Sequence, residues 1–244
     1  MNPETRVAVC CYSGDAHQVR NALPQYLHHE CPVTVFSPGD AGVIIDHPGI
    51  HNQFAGKRAY IGAESLDRQR EHLSALLSFP EQFFLLHDSD SLCLSREIPK
   101  EMYVEGTIWS GQVADFRTHP SPYPKLALHP PYFFSRDTIH RMLKVAGKVG
   151  CCQETPYIDW WMMALAYESG VTMRNHVELE KESSYVFKSD APPEIWCWQN
   201  MDYRIRYRGH CFVHPIKTPE QISICVAARK FYEESPLPKM YEQP

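Results

Sequence analysis

The sequence predicts a single α/β domain built on a mainly parallel central sheet. Three observations carry that prediction. Strand-like and helix-like segments alternate through the first half of the chain. Residues 6–12 (RVAVCCY) and 82–87 (QFFLLH) are apolar with almost no alternation, as expected of strands covered on both faces. The 244 residues suffice for one large core, and 43% hydrophobic with 22% charged residues excludes disordered and fibrous chains.

Taken in order, residues 6–12 predict a buried first strand. Asp15 is placed to cap a helix reaching about residue 29, with Pro24 expected to kink or split it. Residues 32–36 (PVTVF) and 43–46 (VIID) predict short strands separated by Pro and Gly. Residues 65–79 predict a helix, because Leu66, Leu73, Leu76 and Leu77 recur at helical spacing before Pro80. Residues 82–87 predict a central strand that ends abruptly in Asp88-Ser89-Asp90. A strand near 108–116 and a short one at 132–135 follow, the latter feeding a helix over 136–146. Thr155 and Pro156 open another helix, with Gly170 just past its end. Residues 171–177 predict a strand. Residues 203–212 alternate, which puts Arg204, Arg206 and Arg208 on one strand face. A last helix is predicted over 219–232. One domain thus spans 1–232, and the polar, Pro-bearing residues 233–244 predict an extended or disordered tail.

Composition narrows the function. The net charge of −5 is not the basic balance of a protein that holds nucleic acid by phosphate neutralisation alone. No signal peptide is visible and no apolar run approaches the ~20 residues of a membrane helix. The nine cysteines are an odd number, include no C-x-x-C, and in part (Cys10, Cys93, Cys211, Cys225) sit in apolar runs. Buried reduced thiols in a cytoplasmic protein are the expectation. His28-His29-x-Cys31 has no second ligand pair at a suitable spacing, so a structural zinc site is not predicted.

The sharpest chemical feature is Asp88-Ser89-Asp90. Two carboxylates two residues apart point to one side of an extended chain. Such a pair is unfavourable unless a cation neutralises it. Oxygen donors suit Mn²⁺ or Mg²⁺, ions that bridge carboxylates to phosphates. The carboxyl end of a strand is also where α/β sheets place ligands.

FFLLHDSDSL resembles the D-x-D motif of nucleotide-sugar-dependent glycosyltransferases of the GT-A fold, and other segments follow in that family's order. Residues 7–14 resemble the strand and turn that meet the nucleotide base. The helix bearing Arg68 precedes the motif, as in the family. Residues 132–136 (YFFSR) resemble the strand-then-helix element after the donor site. Pro156-Tyr-Ile-Asp159 resembles the acidic motif opening the acceptor-side helix, and His214-Pro-Ile-Lys217 the late His-x-x-Lys. The resemblance implies a GT-A-like, three-layer fold. It also implies a metal-dependent glycosyltransferase that moves sugar from a nucleoside-diphosphate sugar, UDP-sugar preferred, to an acceptor hydroxyl. On this reading Asp88, Asp90 and His214 hold Mn²⁺ or Mg²⁺. Tyr12, Ser13, Arg68, Asp88, Ser89 and Lys217 meet the nucleotide sugar. Asp159 is the general base of an inverting transfer, with Glu154 in reserve. Trp160 and Trp161 meet an acceptor: a glycan, a glycolipid or a modified nucleobase.

Three other functions stay open on sequence. A sugar nucleotidyltransferase would need a Gly-rich, basic loop after the first strand. Residues 12–15 (YSGD) have one Gly and no Lys there. A non-catalytic binder of nucleotide sugars would keep the same pocket. A transferase acting on modified DNA bases would use the arginine face, which the acidic net charge opposes.

Overall fold

The computed structural model describes residues 4–39, 42–56, 62–114, 123–149, 158–179, 202, 205, 206, 209 and 211–235. The Thr155-Pro156 cap, Glu154, Arg204, Arg208 and the tail from residue 236 lie outside them.

Seven strands form the main sheet: β1 (Thr5–Cys10), β2 (Val33–Ser37), β3 (Ile50–Phe54), β4 (Phe83–Asp88), β6 (Thr107–Ala114), β7 (Leu126–Ser135) and β8 (Thr172–Asn175). Their order is β3-β2-β1-β4-β7-β6-β8. All pairings are parallel except the two made by β7, which runs against the rest. A separate ribbon pairs β5 (Leu92–Cys93) with β9 (Phe212–Val213). Helices α1 (Ala16–Leu27) and α5 (Pro219–Glu234) cover one face. Helices α2 (Ala63–Leu76), α3 (Arg136–Val145) and α4 (Ile158–Glu168) cover the other. The fold is therefore three-layer α/β with a mainly parallel sheet, as the sequence predicts.

The layers follow from side-chain period. On β1, Val7 and Val9 join the core under α1, while Ala8 and Cys10 join the core under α2. The same split in β4 sends Leu85 one way and Phe84 and Leu86 the other. Helix α4 is apolar all round, with Trp160 to Ala166 buried, and packs against β7. It ends in Gly170 at φ +65°, where the Gly170 amide bonds to Tyr167 O (3.1 Å) and the Val171 amide to Ala166 O (3.0 Å). That is the Schellman pattern, and it needs a residue tolerant of positive φ.

Several expectations are corrected. Residues 43–46 are not a strand; the third strand is Ile50–Phe54, and the Asn52 side chain takes the Ile45 amide and carbonyl (2.8 and 3.0 Å). Pro24 lies inside α1 without splitting it. Asp15 precedes α1 but does not cap it with its side chain; it accepts instead from Ser89 Oγ (3.2 Å). The alternating segment at 203–212 is not a strand throughout: residues 202, 205 and 206 are helical, and the strand is Phe212–Val213. Arg206 bonds Asp202 one turn away (3.0 Å) and lies 4.7 Å over the Phe231 ring, so no arginine strand face forms among the described residues. Residues 233 and 234 end α5 rather than begin a tail.

Among the described residues, no helix is long and apolar enough to cross a membrane. The six described cysteines are buried thiols. His28, His29 and Cys31 are engaged with the backbone oxygens of Ser95, Arg96 and His29.

Candidate functional site

The sheet's topology assembles the site. Strand β4 sits between β1 and β7, so Cys10 pairs with Asp88 at the carboxyl ends of two parallel strands. Because β7 is antiparallel, its early residues come to that same end: Leu86 pairs with Tyr132, and His129 lies beyond it. Direction therefore changes beside Asp88, the kind of place where open α/β sheets bind ligands.

Asp88 is three-quarters buried at its side chain and stands 3.6 Å from the wholly buried guanidinium of Arg68. Burial pushes its carboxyl up to about 6; Arg68 opposes this, while Asp90 and Asp159 add to it. Arg68 also lies 4.6 Å over the Tyr12 ring, so Tyr12 lends a face to the arginine. Behind Arg68, His72 bonds Ala55 O (3.2 Å) and Cys10 Sγ (3.5 Å) and stacks on Phe36. Gly56, at φ +75°, lies so close that a Cβ there would meet His72 Nε2 at 2.8 Å.

Asp90 lies just past the strand and faces His214 Nε2 at 3.2 Å. It also pairs with Lys217 Nζ, and its backbone oxygen accepts from the Ile216 amide (2.7 Å). Burial alone would raise the Asp90 carboxyl, but the hydrogen bond and charge of His214, then Lys217, hold it well below the usual range. Burial alone would lower His214; Asp90 first, then Asp159 and Asp88, raise it. The segment carrying His214 and Lys217 is held by β9 before it and by α5 after it. Thr218 opens α5 with a capping box through Gln221, whose side chain also takes the Lys217 amide (2.6 Å).

Asp159 is in the first turn of α4. Its Oδ2 is 3.1 Å from His129 Nδ1, and its Oδ1 is 3.1 Å from the Tyr132 hydroxyl. The His129 and His214 rings are 6.0 Å apart, which joins the Asp159 group to the Asp90 group.

The structure thus brings together Asp88, Ser89, Asp90, Arg68, Tyr12, His214, Lys217 and Asp159. Trp160 and Trp161 are different: each is 1% exposed, Trp161 donates to Gly62 O (3.4 Å), and Trp160 meets Tyr123 edge-on (5.3 Å). They belong to the core under α4 and present no open face to an acceptor. Ser13 is exposed at the start of a short 3₁₀ turn (Ser13–Asp15) after β1. Sequence reasoning missed His129, Tyr132 and Asp15 as members of the site. Their signal is weak: one His in an apolar strand, one Tyr in an aromatic run, and an acid in a cap position.

Asp88, Asp90 and His214 offer oxygen and nitrogen donors, and the crowding of Asp88, Asp90 and Asp159 calls for positive charge. That chemistry fits a divalent ion. As the side chains stand, however, Asp90 is turned onto His214 and Lys217. Among the described residues no three His, Cys, Asp or Glu side chains are grouped to hold one.

No protein-family model matches the sequence, and no curated protein matches it. Among solved structures, the chain is similar to the glycosyltransferase GlyE of Streptococcus pneumoniae TIGR4, at 9% identity and a TM-score of 0.49. That match covers 89% of this chain and 55% of the other, so this chain spans about half the pneumococcal protein. It is also similar to a glycosyltransferase involved in glycosylation of the major capsid of PBCV-1, at 12% identity and a TM-score of 0.47, covering 93% of this chain and all of that one.

Proposed function

We propose that the chain is a GT-A-like, metal-dependent glycosyltransferase that moves a sugar from a nucleoside-diphosphate sugar to an acceptor hydroxyl, with UDP-sugar as the preferred donor. One observation carries this reading. Asp88 and Asp90, at the carboxyl end of the central strand, meet His214 and Lys217 from more than 120 residues along the chain, and the group faces Asp159.

Asp88, Asp90 and His214 are the residues that would hold Mn²⁺ or Mg²⁺. Bound there, such an ion supplies a Lewis acid for the charge that develops on the departing diphosphate. Lys217, on an exposed stem, reaches a phosphate oxygen as a point charge. Arg68 holds Asp88 from behind and sets the Tyr12 ring at the nucleotide side. Asp159 accepts the proton of the acceptor hydroxyl, which attacks from the face opposite the leaving group and inverts the anomeric centre.

The test is nucleoside-diphosphate release from a panel of nucleotide sugars with Mn²⁺, since water can stand in for the acceptor. Asp90→Asn abolishes release and metal-dependent nucleotide binding while the melting profile stays cooperative. An Asp90→Asn protein with unchanged turnover sinks the reading.

A further inference from the structure

We propose that Ser91 is the positioning residue of the acidic motif: its buried hydroxyl closes the turn that sets the Asp88 and Asp90 carboxylates in their relation to each other. The role rests on that pair holding the ion of the transfer proposed above.

The turn matters because the two acids do not lie on an extended chain. Asp88 ends β4, and Ser89 and Asp90 are the middle of a turn that the Ser91 amide closes onto Asp88 O (3.2 Å). Along a strand, residues two apart face the same side. Across a turn, their relation depends on how the turn is closed. Ser91 closes it twice, since its Oγ also donates to Asp88 O (3.3 Å). The next two residues, Leu92 and Cys93, are β5, and Leu92 pairs with Val213, the residue before His214. Ser91 is therefore the joint between the strand that carries Asp88 and the ribbon that leads to His214.

The joint is held from inside the protein. Ser91 is fully buried, and so are His87 and Tyr26 beside it. His87 Nδ1 stands 3.2 Å from Ser91 Oγ, and the Tyr26 hydroxyl donates to Ser91 O (3.4 Å). The Ser91 hydroxyl has one proton. Given to Asp88 O, it leaves the oxygen free to accept from His87 Nδ1–H, and this assignment satisfies both contacts. The nitrogen without a hydrogen-bond partner among the described residues, His87 Nε2, is then the one without a proton. The first and last residues of His87-Asp88-Ser89-Asp90-Ser91 are thus bonded to each other beneath the two acids. Without the hydroxyl, the turn keeps only its amide closure, and His87 loses an acceptor where the protein is closed to solvent. Outer groups that orient metal ligands are worth about tenfold to a hundredfold in metal affinity.

The experiment compares Ser91→Ala with Thr138→Val in the full chain. Thr138 is also fully buried, and its hydroxyl donates to Thr107 O (3.1 Å). It lies just past Ser135, which pairs with Phe83 at the opposite end of β4 from Asp88, so its loss removes a buried hydrogen bond away from the motif. Two quantities are measured: Mn²⁺ affinity by titration with UDP present, and amide hydrogen exchange at residue 91 with no metal or nucleotide added. In Ser91→Ala, Mn²⁺ affinity falls about tenfold to a hundredfold and the residue-91 amide exchanges about tenfold faster or more. In Thr138→Val both stay within about twofold of the parent. Parent-like Mn²⁺ affinity or parent-like exchange in Ser91→Ala overturns the role. An equal loss of Mn²⁺ affinity in Thr138→Val overturns it too, because the effect is then one of general stability. Should the parent take up no Mn²⁺ with UDP, the sugar-transfer reading fails, and exchange still decides the turn: a protected amide in Ser91→Ala overturns the closure, and a fast one supports it.

Discussion

His72 is fully enclosed behind Arg68, and its two ring nitrogens are both spoken for, by the Ala55 carbonyl and the Cys10 thiol. That arrangement suits the neutral ring. Burial, with Arg68 adding to it, pulls His72 down to about 3 from an ordinary 6.5. Burial also pulls His176 down to about 4, and His87 well below its usual range. The unfolded chain takes up these protons first, so stability is held above about 6.5 and is lost as pH falls from there toward 3. From pH 7 to pH 5 the His72 share of that loss is about 2 kcal/mol. Urea unfolding at the two pH values checks it: His72→Asn removes about that much of the pH dependence, and an unaltered slope refutes the assignment. The motif carboxylates show the same physics with mixed sign. Asp88, desolvated with Arg68 as its nearest cation, is raised, while Asp90, tied to His214 and Lys217, is lowered. Two acids two residues apart are thereby made unlike by their partners.

At the scale of elements, the close of α4 is a sharp test of local chemistry. Gly170 at φ +65° has nothing within 4 Å of where a Cβ would stand, so a substitution there meets strain rather than collision. Gly170→Ala therefore lowers stability by about 1 kcal/mol through the left-handed backbone alone, read as a shift in the urea midpoint at constant slope. Gly170, β1, β4, α2 and α5 were legible because each has a local signature: an apolar run, a helical repeat of Leu, or a cap. Strand β3 was not, since IHNQF is a half-exposed edge strand with no apolar face to show, while VIID nearby is apolar yet has its Ile45 backbone taken by Asn52. The segment after residue 202 misled for a different reason. Its alternating arginines imitate a strand, but Asp202 and Arg206 also stand at i and i+4, and that helical pairing is the one adopted. In the site, Asp88 and Asp90 announce themselves by spacing at a strand end. His129 and Tyr132 do not, because which end of β7 meets the motif depends on strand direction, and composition does not encode direction.

For the whole molecule, the consequential feature is the contact between Lys217 and Asp90. It joins the centre of the sheet to the segment that leads into the last helix, beside the Ile216–Asp90 backbone bond. The ammonium is a built-in counter-ion of the Asp90 carboxylate. On the proposed function, a cation that takes Asp90 displaces the ammonium, and its entry is an exchange rather than an addition. A diphosphate that draws Lys217 to itself clears the way, so anion and cation should load as a couple. In thermal melts, Mn²⁺ alone then shifts the midpoint little, while UDP with Mn²⁺ shifts it by more than the sum of each alone. Lys217→Met reverses the order, gaining response to Mn²⁺ alone and losing response to UDP. Equal, additive shifts in both proteins would show that the lysine is a bystander. On the proposed function, such coupling makes a poor grip on bare metal a built-in property, with affinity for the ion set by the donor.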